Sequence, residues 1–295
     1  MNTGRAAMKN ETGLIKTNFH THSKYCDGRG ELREFADAAV EKGFACLGFS
    51  SHAPVPFDTD WMMKSGDLDR YLRETRSLAA EFRGRLEILT GLEIDYIPDI
   101  GFPSASWISS AGLDYYIGSV HFIAIFHDGR RLTADCVREK FDAGISECFG
   151  GSIERAVRYY YALISQMALS MKPPIIGHID VIMKNNAAPA RFSEDDPWYR
   201  AAVLGALEAA RAAGSAVEVN TGGAIRNSKC PIYPSLWILR EMAAMNIPVV
   251  LNSDAHRPED LDGYFTDARL MLKEAGYKNT VAPGAAGSWH EVALQ

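Results

Sequence analysis

NFHTH at residues 18–22 closes an apolar segment with two histidines, and the same kind of ending recurs down the chain. FSSHAP (49–54), TGLEID (90–95), GSVHFI (118–123), IGHID (176–180), VEVNTGG (217–223) and LNSDAH (251–256) each end a β-branched or apolar run in a histidine, an acid or a polar turn. The runs themselves predict seven strands, over 14–19, 46–49, 86–92, 115–120, 175–177, 216–219 and 247–251. Between them, helical periodicity predicts helices over 31–42, 67–82, 152–171, 197–213, 235–245 and 258–275. Pro197 and Pro258 suit a first helical turn, Ser152 a cap, and Gly43, Gly214 and Gly276 stand where helices stop. Alternating strands and helices imply a parallel sheet in an α/β fold. An open sheet would gather its site at one switch point, whereas a barrel brings every strand end to one mouth. Polar endings on seven strands therefore favour the barrel.

Length alone is ambiguous, because 295 residues would ordinarily suggest two domains while α/β barrels reach 200 to 250 residues as one. With no linker, composition break, internal repeat or low-complexity tract, the reading is a single domain over 14–295 behind a flexible N-terminal extension over 1–13. Hydrophobic residues at 47% and charged residues at 23% exclude a disordered or collagen-like chain. No apolar run approaches the ~20 residues of a membrane span, and the first thirteen residues lack a secretory core, so a cytoplasmic protein without membrane contact is expected. The formal charge of -6 argues against a protein that tracks long nucleic acids. Cys26, Cys46, Cys136, Cys148 and Cys230 form an odd set without a CxxC pair, which predicts reduced thiols rather than a disulfide framework or zinc ribbon.

Six of the eight histidines fall at predicted strand ends: His20, His22, His52, His121, His178 and His256. Side chains alternate along a strand, so His20 with His22, and Asp254 with His256, each present two groups to the mouth. A lone histidine is more often a core or surface residue than a ligand; the joint placement changes that balance. With Asp27, Glu93 and Asp254 the set has nitrogen and oxygen donors and no thiolate, which suits zinc, manganese or iron. These nine groups are too many for one ion and could hold two or three divalent ions, with Glu93 bridging a pair. Three carboxylates against three divalent ions leave a positive site, so an acidic protein can own a pocket that attracts a phosphate dianion. Water on such ions has its pKa lowered toward 7, and a hydroxide bridging them is the expected attacking group.

HTHSKYCDG (20–28), SSHAP (50–54), GLEIDY (91–96), GSVHF (118–122), GHID (177–180) and NSDAH (252–256) resemble, in order, the motifs of the PHP (polymerase and histidinol phosphatase) superfamily. The resemblance runs over about residues 15 to 280. WMMK (61–64), FGGSIERAVRYYY (149–161), IMKNN (182–186), EVNTGG (218–223) and YPSLWIL (233–239) are similar to the histidinol-phosphatase branch in particular. That resemblance implies a distorted (β/α)7 TIM-like barrel with a trinuclear metal centre that hydrolyses a small phosphorylated metabolite, L-histidinol phosphate in histidine biosynthesis. Carried over by motif position, one ion would take His20, His22, Glu93 and Asp254, a second Glu93, His121 and His178, and a third Asp27, His52 and His256. Asp27 stands where some relatives carry histidine, which alters the charge of the third site.

Asp254 and His256 are thus expected in catalysis as well as in metal binding. Lys184 and Arg257 are the candidates for orienting the phosphate, although a basic residue on a loop is often only solvated. Trp61 and Asp95 could meet the imidazole and amine of histidinol phosphate; ordinary loop packing is the competing reading for Trp61. Asn220 could touch substrate or hold its own turn, and Glu218 could contact an amine or orient a neighbour from a buried position. Tyr159, Tyr160 and Tyr161 have helical spacing and read as packing against the barrel. Two alternatives remain open at this level: a phosphoesterase acting on a nucleotide, and a non-catalytic metal-binding regulatory barrel. The latter would be expected to lack ligands, and none is missing.

Overall fold

In chain order the strands are β1 (Lys16–Asn18), β2 (Phe44–Phe49), β3 (Glu87–Thr90), β4 (Glu93–Asp95), β5 (Ile117–Ser119), β6 (Phe122–Ile125), β7 (Arg131–Thr133), β8 (Ile175–Ile176), β9 (Ala216–Asn220), β10 (Val249–Asn252), β11 (Asn279–Pro283) and β12 (Trp289–Ala293). The helices are α1 (Leu32–Glu41), α2 (Leu68–Glu81), α3 (Ala105–Ala111), α4 (Arg138–Phe149), α5 (Ile153–Met171), α6 (Pro197–Ala213), α7 (Gly222–Arg226), α8 (Leu236–Ala244) and α9 (Phe265–Ala275). This computed structural model describes residues 15–294 other than 188, 229, 285 and 286. The extension expected over 1–13 lies outside the described residues.

All seven expected strands form. β1, β2 and β3 make one parallel sheet, and β4, β5, β8, β9 and β10 make a second in that order. β3 is the strand expected over 86–92, cut short at Thr90, and after Gly91 and Leu92 the chain resumes as β4, beyond the expected bounds. The two sheets meet at two seams, each held by a single parallel bridge, His52 with Glu93 and Thr21 with Ala255. The arrangement is TIM-like, yet the ladder does not close as a continuous hydrogen-bonded barrel. Both seams fall at residues the site needs.

An inner layer shows why these strands curl around one another. Phe19, just past β1, joins Cys46, Leu89, Ile117, Ile175, Ala216 and Val250 in one buried cluster, so every strand of the two parallel sheets but β4 supplies an apolar side chain. Tyr115 lies among them, its hydroxyl donating to the carbonyls of Phe19 (2.7 Å) and Phe49 (3.1 Å). Its side chain needs glycine at two positions around it: a Cβ at Gly48 would lie 2.3 Å from its hydroxyl oxygen and one at Gly91 2.5 Å from its ring. The β11–β12 hairpin adds Ala282 and Val292 to the same cluster.

The outer layer is helical. α5 starts where the Ser152 hydroxyl accepts from Arg155 N (3.2 Å) and ends at Lys172, which turns left-handed (φ 48°) ahead of Pro173. It buries Val157, Tyr160, Tyr161, Leu163, Ile164 and Met167, each aliphatic side chain contributing roughly 1.5–3 kcal/mol by leaving water. Tyr159 remains partly exposed. The helix expected over 258–275 is corrected. Pro258 does open a turn, but it is a short 3-10 segment (Pro258–Asp260), and α9 starts only at Phe265. Tyr264 has φ 58°, a left-handed conformation that no continuous helix accepts.

Candidate metal centre

The loops that follow the strands are held so that their polar side chains converge. Beyond β1 the chain stays extended through a pairing of Thr21 with Ala255, so His20 and His22 share one face with ring centroids 5.0 Å apart. The next loop folds back on itself through Lys24 N to Gly30 O (2.9 Å) and Arg29 N to His256 O (2.7 Å). Gly28 makes the fold possible, since a Cβ there would lie 2.4 Å from the His22 main-chain carbon. Asp27 is thereby carried to His256. Across the seam, Asp254 adopts a left-handed backbone (φ 51°), a conformation that costs a non-glycine residue about 1 kcal/mol or more and concentrates at functional sites.

Glu93 lies at the centre. Its Oε2 is 3.1 Å from His20 Nε2, 3.4 Å from His22 Nε2 and 3.0 Å from His52 Nδ1. Its Oε1 is 3.1 Å from His178 Nε2 and 3.8 Å from His121 Nε2, and accepts from Ser119 Oγ at 2.6 Å. Asp254 Oδ1 stands 3.2 Å from His22 Nε2 and 3.7 Å from His20 Nε2, which completes a quartet with Glu93. On the outer side Asp27 reaches His256 Nε2 (3.2 Å), His22 Nδ1 (3.8 Å) and His52 Nε2 (3.9 Å). Four triads have ligand atoms mutually within 4.8 Å: His20, Glu93 and His178; His20, His22 and Asp254; His22, Asp27 and His52; and His52, Glu93 and His121. Overlapping triads that share Glu93, His20, His22 and His52 make one continuous cluster.

The cluster fits divalent cations on the state of its atoms. Among the described residues His20 Nε2, His52 Nδ1 and Glu93 Oε2 are buried with no hydrogen-bond partner, and each such orphan costs about 1–3 kcal/mol if nothing satisfies it. Partners behind the rings turn bare nitrogens inward. His20 Nδ1 donates to Glu218 Oε1 (2.6 Å), His121 Nδ1 to Asp95 Oδ1 (2.9 Å) and His256 Nδ1 to the Asp254 carbonyl (3.0 Å). With those protons outward, each Nε2 offers its lone pair to the cluster.

Protonation follows the same geometry. Burial opposes ionisation of Glu93, yet His20, His52, His121 and His178 around it hold its carboxyl well below the usual range. Burial and the neighbouring imidazoles of His256 and His52 push His22 down to about 3, so it stands neutral as a ligand must. His121 goes the other way: burial would lower it, but Asp95 and Glu93 bring it to about 10, so an ion binding at its Nε2 would have to displace a proton.

Asp180, two residues past His178, is buried behind the site; among the described residues its side chain accepts only from Ser235 N (3.1 Å), leaving Oδ1 without a partner. Burial, with Glu194 adding, pushes it up to about 7 despite that hydrogen bond. The fold therefore prefers the neutral acid. This contribution to stability is complete below the unfolded value near 3.9 and is lost as pH rises through about 7. Asp180→Asn should accordingly raise Tm by about 3–6 °C at pH 8 and change it little at pH 4, as scanning calorimetry at both values would show. A larger gain at pH 4 would reverse the sign assigned here.

The structure brings all nine expected ligands together. Lys184 lies near by, its ammonium donating to the Asp135 carbonyl (2.5 Å). Arg257 is exposed on the turn after His256. Trp61 is more than loop packing, because its ring stands edge-on to His52 (4.7 Å) and His121 (5.4 Å) and stacks on Phe122. Asp95 as an amine contact is corrected: it is 4% exposed and accepts from both His121 N and His121 Nδ1. Glu218 is the orienting acid, and Asn220 holds its own turn, Oδ1 accepting from Gly222 N (2.8 Å) while Nδ2 donates to Glu218. The sequence reading missed Arg226, whose Nη2 donates to Asp254 Oδ2 (2.9 Å) and whose Nη1 lies 3.3 Å from both Asp254 O and His256 Nδ1. A cation in the first turns after the glycine-rich end of β9 was the available signal. Asp135 was missed as well.

The parallel strands thus form a barrel-like ring with a histidine and carboxylate cluster at its carboxyl ends, the arrangement of a metal-dependent hydrolase. The chain belongs to the PHP domain family, whose model matches residues 18–222. Within it the similarity is to histidinol-phosphatases: the histidinol-phosphatase of Bacillus subtilis is 34% identical over 273 residues, covering 87% of this chain and 99% of that protein. Two solved structures share the fold. A putative histidinol phosphatase from Listeria monocytogenes superposes with a TM-score of 0.74 at 23% identity, over 85% of this chain and 99% of that one. Histidinol phosphate phosphatase from Lactococcus lactis, complexed with zinc, L-histidinol and phosphate, gives 0.68 at 18% identity, over 94% and 99%.

Proposed function

We propose that this protein is a metal-dependent phosphatase that converts L-histidinol phosphate to L-histidinol and phosphate in histidine biosynthesis. The single observation that carries the reaction class is the continuous cluster of eight nitrogen and oxygen donors around Glu93, which His256 joins through Asp27. The substrate follows from the relatives, which are histidinol-phosphatases along nearly their whole length.

His20, His22, Glu93 and Asp254 would hold one ion, Glu93, His121 and His178 a second, and Asp27, His52 and His256 a third. Zinc, manganese or iron in these places would supply Lewis acidity toward phosphoryl oxygens and make water acidic enough to give a nucleophile near neutral pH. The remaining work falls to the chain's own residues. Glu218, Asp95 and the Asp254 carbonyl keep the imidazoles turned inward. Arg226, which donates to Asp254 Oδ2, and Lys184 present cations at the mouth for the phosphate, with exposed Arg257 further out. Trp61 and Phe122 give the mouth an apolar wall suited to an imidazole. Among the described residues no helix is long and apolar enough to cross a membrane, and the five cysteines are free. The proposed protein is a cytoplasmic, single-domain enzyme over 14–295 acting on a small phosphorylated metabolite.

Steady-state phosphate release from L-histidinol phosphate, nucleoside monophosphates and simple phosphomonoesters tests the substrate. The expected result is a kcat/KM for histidinol phosphate at least about a hundredfold above any nucleotide, a discrimination within reach of polar contacts. A nucleotide preferred by that margin would move the protein to another substrate class.

A further inference from the structure

Asp135 is a carboxylate at the mouth that neither the ligand set nor the groups behind it use. It follows β7, and Ala134 N donates to the His121 carbonyl (2.7 Å), which fastens this segment to a metal-binding candidate. The other side is fastened too: Asn185 Nδ2 donates to the carbonyls of Ala134 (2.9 Å) and Cys136 (3.2 Å), and Lys184 Nζ to that of Asp135. The main chain at 134–136 is thus pinned between His121 and the 3-10 turn Val181–Asn186. Its carboxylate is left over. Lys184 Nζ is 3.9 Å from Oδ2, beyond a hydrogen bond, and the side chain keeps 36% of its surface exposed. Neither oxygen accepts a hydrogen bond among the described residues.

The partly exposed Asp135 carboxylate, with Lys184 Nζ 3.9 Å away, is an anion at neutral pH. An ionised carboxylate does nothing for a phosphate and would repel it. Histidinol phosphate carries an ammonium on the second carbon from its ester oxygen. A phosphate held over the cluster places that ammonium a few ångströms outward, where an anion beside His121 can meet it.

Resting on the reading of the site as a histidinol-phosphate phosphatase, we propose that Asp135 is a specificity-determining residue that binds the substrate's ammonium group. Truncating one partner of an enclosed charge pair typically weakens binding by tenfold to several hundredfold. Esters without an ammonium would lose nothing.

The test uses manganese-loaded full-length protein, wild type and Asp135→Asn, with L-histidinol phosphate and p-nitrophenyl phosphate as substrates. Expected is a drop of about thirtyfold or more in kcat/KM for histidinol phosphate, carried by KM, with p-nitrophenyl phosphate changed less than about twofold. Equal losses on both esters would make Asp135 a structural prop for Lys184 and overturn the inference alone. Unchanged kinetics on histidinol phosphate would overturn it as well. A wild-type protein that cleaves p-nitrophenyl phosphate and not histidinol phosphate would overturn the function proposed above together with this inference. Inhibition of the wild-type p-nitrophenyl phosphatase supplies a reading independent of the variant's folding. L-histidinol should inhibit at least about tenfold more tightly than the same alcohol lacking its amine; equal inhibition would contradict ammonium recognition.

Discussion

Replacing Glu93 by glutamine is expected to lower phosphate release by about a thousandfold or more and to strip metal from the protein. The side chain keeps its shape, so the effect is one of charge and donor count. Both oxygens are engaged: Oε2 faces His20, His22 and His52 within 3.4 Å, and Oε1 faces His178 at 3.1 Å. An amide supplies one neutral oxygen, and its NH2 would meet an imidazole nitrogen that needs a cation. Two adjoining ion positions would lose their shared ligand at once. Metal content by elemental analysis and turnover at saturating manganese measure the two effects. A variant that keeps full metal and more than a tenth of wild-type turnover would show that Glu93 bridges nothing.

Glu218→Ala is expected to combine a large stability loss with weakened metal binding. Glu218 Oε1 accepts from His20 Nδ1 (2.6 Å) and Asn252 Nδ2 (2.8 Å), and Oε2 from His178 N and Asn220 Nδ2 (both 2.8 Å). All of these groups are buried, so truncation strands four donors and removes the charge facing His20. The expected cost is about 3–5 kcal/mol of unfolding free energy in the metal-free protein. Metal affinity should fall about 10- to 100-fold, since His20 loses the partner that fixes its tautomer and ring plane. Denaturant titration and a chelator competition read the two separately. A Glu218→Ala protein with unchanged metal affinity would show that His20 is oriented by packing alone.

The site was legible in the sequence where the pattern is local. A strand alternates, so HTH and DAH each declare two side chains on one face, and the acid or histidine after each apolar run declares the mouth. Glu218 and Asn220 could be placed on one face by the same rule, and the structure gives them to the ligands and the turn rather than to substrate. Arg226 and Asp135 were not legible, because what defines them lies elsewhere in the chain: Arg226 meets Asp254, and Asp135 sits on a segment tied to His121 and Asn185. Among elements, α4 was hidden because its apolar stripe is weak and includes Gly144, where a Cβ would lie 2.3 Å from the Leu132 side chain. The β6–β7 hairpin is short and carries the arginines of RRLT, so it shows no clean alternation. Asp95 illustrates the opposite error. Its spacing from Glu93 is right for the mouth, but the His121 main chain and ring both claim its Oδ1.

Metal ions held in this cluster would make the protein a histidinol-phosphate phosphatase. Phosphate release from L-histidinol phosphate should be measured on protein loaded with zinc, manganese or iron, then after exhaustive chelation, then after metal is returned. Turnover is expected to yield equal amounts of L-histidinol and phosphate, to fall at least about a hundredfold on chelation, and to return with the metal. Full turnover by protein shown to be free of metal, or no phosphate release from fully loaded protein, would contradict it.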